Sequence, residues 1–135
     1  MRRVAILIVA VVLALSSGLG AQTRTMNATT LVLDAATTTA TSAVFRPQTD
    51  TRTFHVYGAT SSGSGSVTVA IEVSNILNPV NTTNVDWISM GTITLALTTT
   101  RASDGFVSTA AWTSVRARVT AISGTGAAVS VAMGN

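Results

Sequence analysis

Few side chains in this 135-residue chain can do chemistry. His55 is the only histidine, and the chain has no cysteine, which excludes disulfides, thiol catalysis and thiolate metal sites. A catalytic triad or a zinc site also needs partner residues for its histidine, and no serine motif accompanies His55. We therefore predict that the protein is not an enzyme, that it binds no metal or other cofactor, and that His55 is an ordinary surface residue.

The five acidic residues give no stronger signal. Asp86 and Asp104 stand in turn-like sequences, where aspartate side chains commonly bond to the nearby backbone. A calcium ion held between such loops is the alternative, and it would require several converging oxygen ligands. The paired carboxylates of a glycosidase are not indicated. We expect both aspartates to stabilise turns.

Trp87 and Trp112 are the largest side chains of the chain. Buried aromatic side chains contribute much of the apolar area of small cores, and we predict that both tryptophans lie in the core. The alternative is that they form an exposed platform for a sugar ring.

Charge excludes one further class of protein. Charged residues make up 10% of the chain, and its net charge is +3. The basic residues are all arginines, and they are scattered along the sequence. Nucleic-acid binding depends on clustered basic residues with stacking aromatic side chains. We therefore predict no nucleic-acid partner.

Residues 1–21 differ in composition from the rest of the chain. Arg2 and Arg3 precede the apolar run 4–15, and small residues follow it. This pattern predicts a secretory signal peptide over residues 1–21, with an uncleaved anchor or a buried arm as the alternatives. The run is short for a membrane span, which needs about 20 residues. We expect no stable membrane insertion if the leader is cleaved.

The rest of the chain has the period of β-strands. Residues 22–51 are rich in Thr and Ala and form an N-terminal arm with the first strands, and residues 52–135 form the main domain. Alternating apolar residues predict one hairpin with its turn at 60–66 and another from Trp112 to Met133. The stretch 75–86 is predicted to be a polar surface loop. The fold class is an all-β antiparallel sandwich of seven to eight strands, immunoglobulin-like or jelly-roll-like.

The alternation also separates an inner face from an outer face. The residues predicted to face the core are Phe54, Val56, Val69, Ile71, Val73, Trp87, Ile93, Leu95, Phe106, Trp112, Val115, Val119, Val129 and Val131. Outward positions are small and nearly uncharged, whereas monomers usually keep charges on exposed strands. We therefore expect neighbouring molecules to cover an outer face. The candidate assembly face comprises Thr120, Ser130, Ala132, Arg116 and Arg118.

Four segments resemble small all-β structural proteins of tailed bacteriophages, associated with the capsid or the tail. They are RTFHVYGATSSGSGSVTVAIEVSN (52–75), DWISMGTITLAL (86–97), SDGF (103–106) and AWTSVRARVTAISGTGAAVSVAMG (111–134). That family usually has a tight Asn-Asp-Gly turn before the tryptophan, whereas this chain has the longer stretch 75–86. Its members also rarely carry a signal peptide.

The resemblance implies a non-enzymatic virion structural or decoration protein that assembles through its sheet faces. Its partners would be copies of itself or other virion proteins. The predicted leader supports a different reading, a secreted bacterial surface module that is adhesive or binds a glycan. A subunit of an extracellular filament is a third reading, since it would combine a leader with an assembling β-domain.

Overall fold

A computed structural model describes residues 29–47 and 51–134, and these contain eight strands and no helix. The strands are β1 (Thr29–Ala36), β2 (Ala40–Thr41), β3 (Arg52–Ala59), β4 (Ser62–Ser74), β5 (Ile88–Leu97), β6 (Ala102–Ser108), β7 (Ser114–Thr125) and β8 (Ala128–Gly134). The all-β prediction with seven to eight strands is confirmed. The described part of the chain has no helix that could cross a membrane. The predicted leader lies outside the described residues.

The strands form two antiparallel four-stranded sheets. Sheet A has the order β1-β8-β3-β6 and sheet B the order β2-β7-β4-β5. Buried residues from both sheets form one apolar cluster between them, the arrangement typical of a β-sandwich. Strands β1 and β2, which fall in the predicted N-terminal arm, pair with β8 and β7 in these same two sheets.

The pairing pattern is that of one long hairpin folded over on itself. β1 pairs with β8, β2 with β7, β3 with β6 and β4 with β5. Only the connection from β4 to β5 joins neighbours in one sheet, and each of the other connections passes from one sheet to the other. The segment between β4 and β5 is therefore the tip of the long hairpin.

Both predicted hairpins are wrong as pairings. β3 and β4 lie in different sheets, and so do β7 and β8. Alternation identifies the buried face of a strand, but its neighbour in the sheet depends on contacts distant in sequence. The two Gly-rich turns pack against each other instead, with Ser62 opposite Thr125 and Ser66 opposite Ser123.

Most of the predicted core is confirmed. Phe54, Val56, Val69, Ile71, Val73, Ile93, Leu95, Val115, Val119, Val129 and Val131 all belong to the apolar cluster between the sheets. Phe106 and Trp112 are partly buried and pack against that cluster. Trp87 is buried but stands outside the cluster. The sequence prediction missed Val32, Val67, Leu97, Ala117, Ala127 and Met133, which complete the core.

Candidate interaction surface

A buried ion-pair network lies on the outer face of sheet B. Glu72 on β4 is paired with Arg116 on β7, and Arg118 lies two residues along the same strand on the same face. Arg116 Nε donates to Glu72 Oε2 at 2.7 Å, and Arg118 Nε donates to Glu72 Oε1 at 2.9 Å. The side chains of Arg116 and Glu72 are 1% and 5% exposed, whereas that of Arg118 is 30% exposed.

The two arginines keep Glu72 ionised in this buried position. Burial by itself would raise the pKa of Glu72, but the hydrogen bonds from Arg118 and Arg116, together with their charges, outweigh it and lower that pKa. The hydrogen bond to Glu72 in turn raises the pKa of Arg118. The network therefore carries two positive charges and one negative charge at neutral pH.

The remaining donors of Arg116 bind the segment between β4 and β5, residues 75–87, which we call the β4–β5 loop. Arg116 Nη1 donates to the carbonyl oxygen of Asn81, and Nη2 donates to Asn84 Oδ1 at 2.7 Å. The guanidinium carbon lies 4.3 Å from the centre of the Trp87 ring, within the range of a cation–π contact. The loop thus covers the arginine that the strand pattern places on an outer face.

Hydrogen bonds within the loop fix its shape. Trp87 Nε1 donates to the carbonyl oxygen of Val80 at 2.9 Å, and the Trp87 backbone N–H donates to the carbonyl of Asn84. The Val80 backbone N–H donates to Asp86 Oδ2 at 2.8 Å. Asp86 therefore has the backbone-bonding role that its turn sequence predicts. Trp87 is buried with Arg116 against its ring, so it does not form an exposed sugar platform.

A second set of bonds ties the loop to the segment that follows β2. Asn81 Nδ2 donates to the Ser42 carbonyl at 3.0 Å. Arg46 Nη2 donates to the Leu77 carbonyl at 3.1 Å and to Asn78 Oδ1 at 2.9 Å. The loop is therefore held by sheet B, by its own side chains and by a neighbouring segment.

This fixed loop nevertheless exposes apolar side chains. Five of the seven exposed large hydrophobic residues in the described part of the chain lie in it or at its end, namely Ile76, Leu77, Val80, Val85 and Ile88. We call these five residues the apolar loop surface. Leu77 is 80% exposed and Val85 91% exposed. Exposed apolar patches commonly mark sites of protein association, and five such residues fall within the stretch 76–88. A loop already ordered loses little entropy on binding.

The five residues of the candidate assembly face do not share one surface. Thr120 is exposed on sheet B, whereas Arg116 on the same sheet is buried under the β4–β5 loop. Arg118 is partly exposed. Ser130 and Ala132 belong to β8 in sheet A, and Ser130 is only 7% exposed. The prediction grouped them because it paired β7 with β8 in one sheet.

Ser130 lies instead in the wall of a cleft of about 310 Å³ on sheet A. Its Oγ accepts from the Ala35 backbone N–H at 3.0 Å and contacts Asp34 Oδ1 at 3.3 Å. Arg101 also lines the cleft, with its guanidinium carbon 5.1 Å from the centre of the Tyr57 ring. Ala35 has a positive φ of 43°, which is uncommon for a residue with a Cβ.

The other residues considered for chemistry lie apart. His55 is exposed, and its ring centre is 5.4 Å from that of Tyr57. Asp104 lies inside strand β6 rather than in a turn, and its Oδ1 accepts from the Gly105 backbone N–H at 2.7 Å. No group of three or more metal-ligating side chains occurs within residues 29–47 and 51–134.

The apolar loop surface was missed at the sequence level. The stretch 75–86 contains enough Asn, Thr and Pro for a surface loop, and it is one. Its four apolar side chains were the available signal, because a loop that only connects two strands has no need of them. Nothing local indicated that a buried arginine from another strand would fix it.

Comparisons with known proteins add one similarity. No protein-family model matches the chain, and no curated protein matches it either. Among solved structures, the chain is similar to the crystal structure of SPBc2 prophage-derived protein YomS. The two are 16% identical with a TM-score of 0.48, over 81% of this chain and 92% of that chain.

Proposed function

We propose that this protein is a non-enzymatic structural or decoration component of a phage particle, and that it attaches to a protein partner through the apolar loop surface. The observation that carries the proposal is the combination of exposure and fixation in the β4–β5 loop. Leu77 and Val85 are almost fully exposed, while the loop between them is bonded to a buried arginine. A monomer without a partner gains nothing from holding apolar side chains in water.

The chemistry of the loop matches that of a protein interface. Association sites typically have an apolar centre with few charges, surrounded by a polar rim. The stretch 75–87 contains one charged residue, Asp86, and its carboxylate is already bonded to the loop backbone. The remaining polar residues of the loop are asparagines and threonines, which suit the rim. The expected partner is another copy of this chain or another virion structural protein.

Two further lines support a place in a virion. The segments between residues 52 and 134 resemble structural proteins of tailed phages. The strand order β1-β8-β3-β6 facing β2-β7-β4-β5 is that of a jelly roll, an arrangement that viral capsid proteins share with lectins and cupins. The second line is an analogy of fold and does not select among those functions by itself.

The test replaces the two most exposed apolar residues of the loop by carboxylates, as Leu77→Asp with Val85→Asp. Val107→Asp is the matched control, because Val107 is 62% exposed but lies on β6. All three sites are exposed, so the free energy of unfolding should change by less than about 0.5 kcal/mol per site. Particles are induced from the genome that carries the gene, and copies of the protein per particle are counted by quantitative mass spectrometry.

We expect the wild type and Val107→Asp to be retained on the particles and the double loop variant to be lost. Equal retention of the double variant would show that the loop is not the attachment site. Purified particles that lack the wild-type protein would overturn the virion proposal.

The predicted leader favours a second candidate, a secreted surface module that binds a glycan. The cleft beside Tyr57 and Arg101 would be its binding site, since it combines an aromatic side chain, a cation and the hydroxyl group of Ser130. Mass spectrometry of the native protein distinguishes the candidates. An N-terminus near Ala21 or Gln22 in secreted material supports this second function, and an intact Met1 in particles supports the first.

A further inference from the structure

The four sheet edges differ in how they resist pairing with another chain. An edge strand offers unpaired N–H and C=O groups, and proteins usually protect it with charges, bulges or shortness. β1 has two register shifts and contains Asp34. β2 has two residues, and β6 has Asp104 near its middle.

β5 is the edge that lacks these protections over most of its length. It has ten residues, ISMGTITLAL, without a charge or a proline. Its one irregularity is a register shift near Met90, opposite Ile71 and Glu72. From Gly91 to Leu97 the pairing with β4 is regular.

The regular half of β5 is also firmly placed. Ile93, Leu95 and Leu97 face the core and are at most 5% exposed. The alternate residues, Thr92, Thr94 and Ala96, are exposed and small. A strand fixed by its buried side chains presents its free edge in one conformation, and small outward side chains allow a second strand to approach.

We propose that β5 pairs with β5 of a second copy of this chain, antiparallel across a two-fold axis, so that two sheets B join into one continuous sheet. In such a symmetric contact the same patch meets itself, so any charge would come close to its own copy. An uncharged strand avoids that repulsion. Asp104 would create it on β6, and Asp34 would create it on β1.

Pairing of the whole segment Gly91–Leu97 with the same segment of the second copy determines the register of the two β5 strands. Thr94 is the midpoint of Gly91–Leu97, so the two copies of Thr94 lie opposite each other. Ile88 begins the same strand and belongs to the apolar loop surface, so the loops of the two copies flank the new contact. The proposed partner of the β5 edge is a second copy of this chain. This pairing between copies depends on β5 and is independent of the proposed attachment through Leu77 and Val85.

The experiment measures the mass of the purified protein by light scattering and sedimentation over a range of concentrations. Thr94→Lys puts two ammonium groups opposite each other, and like charges brought together at an interface strongly weaken association. Ala121→Lys is the matched control, because Ala121 and Thr94 are both exposed and both pair with Thr68 in one row across sheet B. An edge contact is sensitive only to Thr94→Lys, whereas a contact through the face of the sheet is sensitive to both.

We expect a concentration-dependent dimer for the wild type and for Ala121→Lys. For Thr94→Lys we expect at least about a tenfold weaker dimer at low salt, with partial recovery at high salt. Amide hydrogen exchange of Gly91–Leu97 should slow as the wild-type concentration rises. A wild type that stays monomeric at millimolar concentration overturns the proposal, and so does equal weakening by both lysines.

The double loop variant separates the two proposals. Leu77→Asp with Val85→Asp should abolish particle attachment and leave β5 exchange protection dependent on concentration. Loss of that protection in the loop variant, with Thr94→Lys behaving as wild type, would assign the contact between copies to the loop and would overturn the β5 proposal.

Discussion

The guanidinium of Arg116 lies over the indole ring of Trp87, with 4.3 Å between the guanidinium carbon and the ring centre. The same side chain is paired with Glu72 and bonded to Asn81 and Asn84. Arg116 therefore connects two central strands of sheet B to the loop that exposes Leu77 and Val85. Arg116 thus helps to fix the proposed attachment site, together with the bonds that Asn81 and Arg46 make between the loop and a neighbouring segment.

Glu72→Gln should lower the free energy of unfolding by about 3 kcal/mol, because it leaves the buried Arg116 without its counter-charge. Arg118→Gln is the control and should cost about 1 kcal/mol or less, since the Arg118 side chain is 30% exposed. Urea unfolding followed by tryptophan fluorescence measures both values. Equal effects of the two substitutions would contradict the burial argument.

The wild type should lose stability in acid more steeply than Glu72→Gln. The pKa of Glu72 is lower in the folded protein than its ordinary value, so the unfolded chain binds the proton more readily, and stability rises with pH in that window. The contribution of Glu72 is complete above its ordinary pKa and is lost as the pH falls through the lowered one. Urea unfolding between about pH 2 and 6 measures the difference between the two proteins. Parallel curves would show that Glu72 contributes nothing to the acid sensitivity.

Gly58→Ala should destabilise the protein by about 1–3 kcal/mol through overpacking. A Cβ at Gly58 would lie 2.6 Å from the backbone oxygen of Ala128, in the strand paired with β3. Gly63→Ala is the comparison, because Gly63 has open space around it but a φ of +68°, which costs a residue with a Cβ about 1 kcal/mol. Thermal unfolding orders the two variants, and a larger loss for Gly63→Ala would contradict the close approach.

Ser130→Asp should lower the free energy of unfolding by about 2 kcal/mol, because it would put a carboxylate at a buried position whose present side-chain oxygen lies 3.3 Å from Asp34 Oδ1. Thr120→Asp, at an exposed position on the other sheet, should change it by less than about 0.5 kcal/mol. Sequence alternation puts both residues outward and would predict tolerance of both. Circular dichroism melts of the two variants decide between these expectations, and equal melting temperatures would favour the sequence-based one.

The local sequence pattern was sufficient to predict the strands but not which strands pair with each other. The alternation of Val67, Val69, Ile71 and Val73 correctly predicted a strand with these four residues on its core face, because burial imposes that period directly. Two alternating runs joined by a Gly-rich turn also predict a hairpin, yet β3 and β4 lie in different sheets. The choice of neighbour is made by contacts such as that of Phe54 with Met133, which no short window contains.

The burial of two arginines was also not predicted from the sequence. Arg116 occupies an outward position in the alternation, and Arg52 stands at the start of the predicted main domain. In the folded protein they are 1% and 2% exposed, and Arg52 donates to the carbonyl oxygens of Ala110 and Trp112. A sequence shows that an arginine is charged. The carboxylate or carbonyl groups that bond to that arginine come from segments far along the chain, so a local pattern does not identify them.

The nested pairing of the strands makes the entropic cost of bringing a pair together rise from the β4–β5 pair outwards. β4 and β5 meet across the loop of residues 75–87, whereas Thr29 and Gly134, at the two ends of the described chain, close the widest span of sequence and carry the greatest entropic cost. β8 lies between β1 and β3, so sheet A is complete only when β8 is in place between them. Local opening of β8 would therefore also release β1, because β8 is the one strand of the described sheet that pairs with β1.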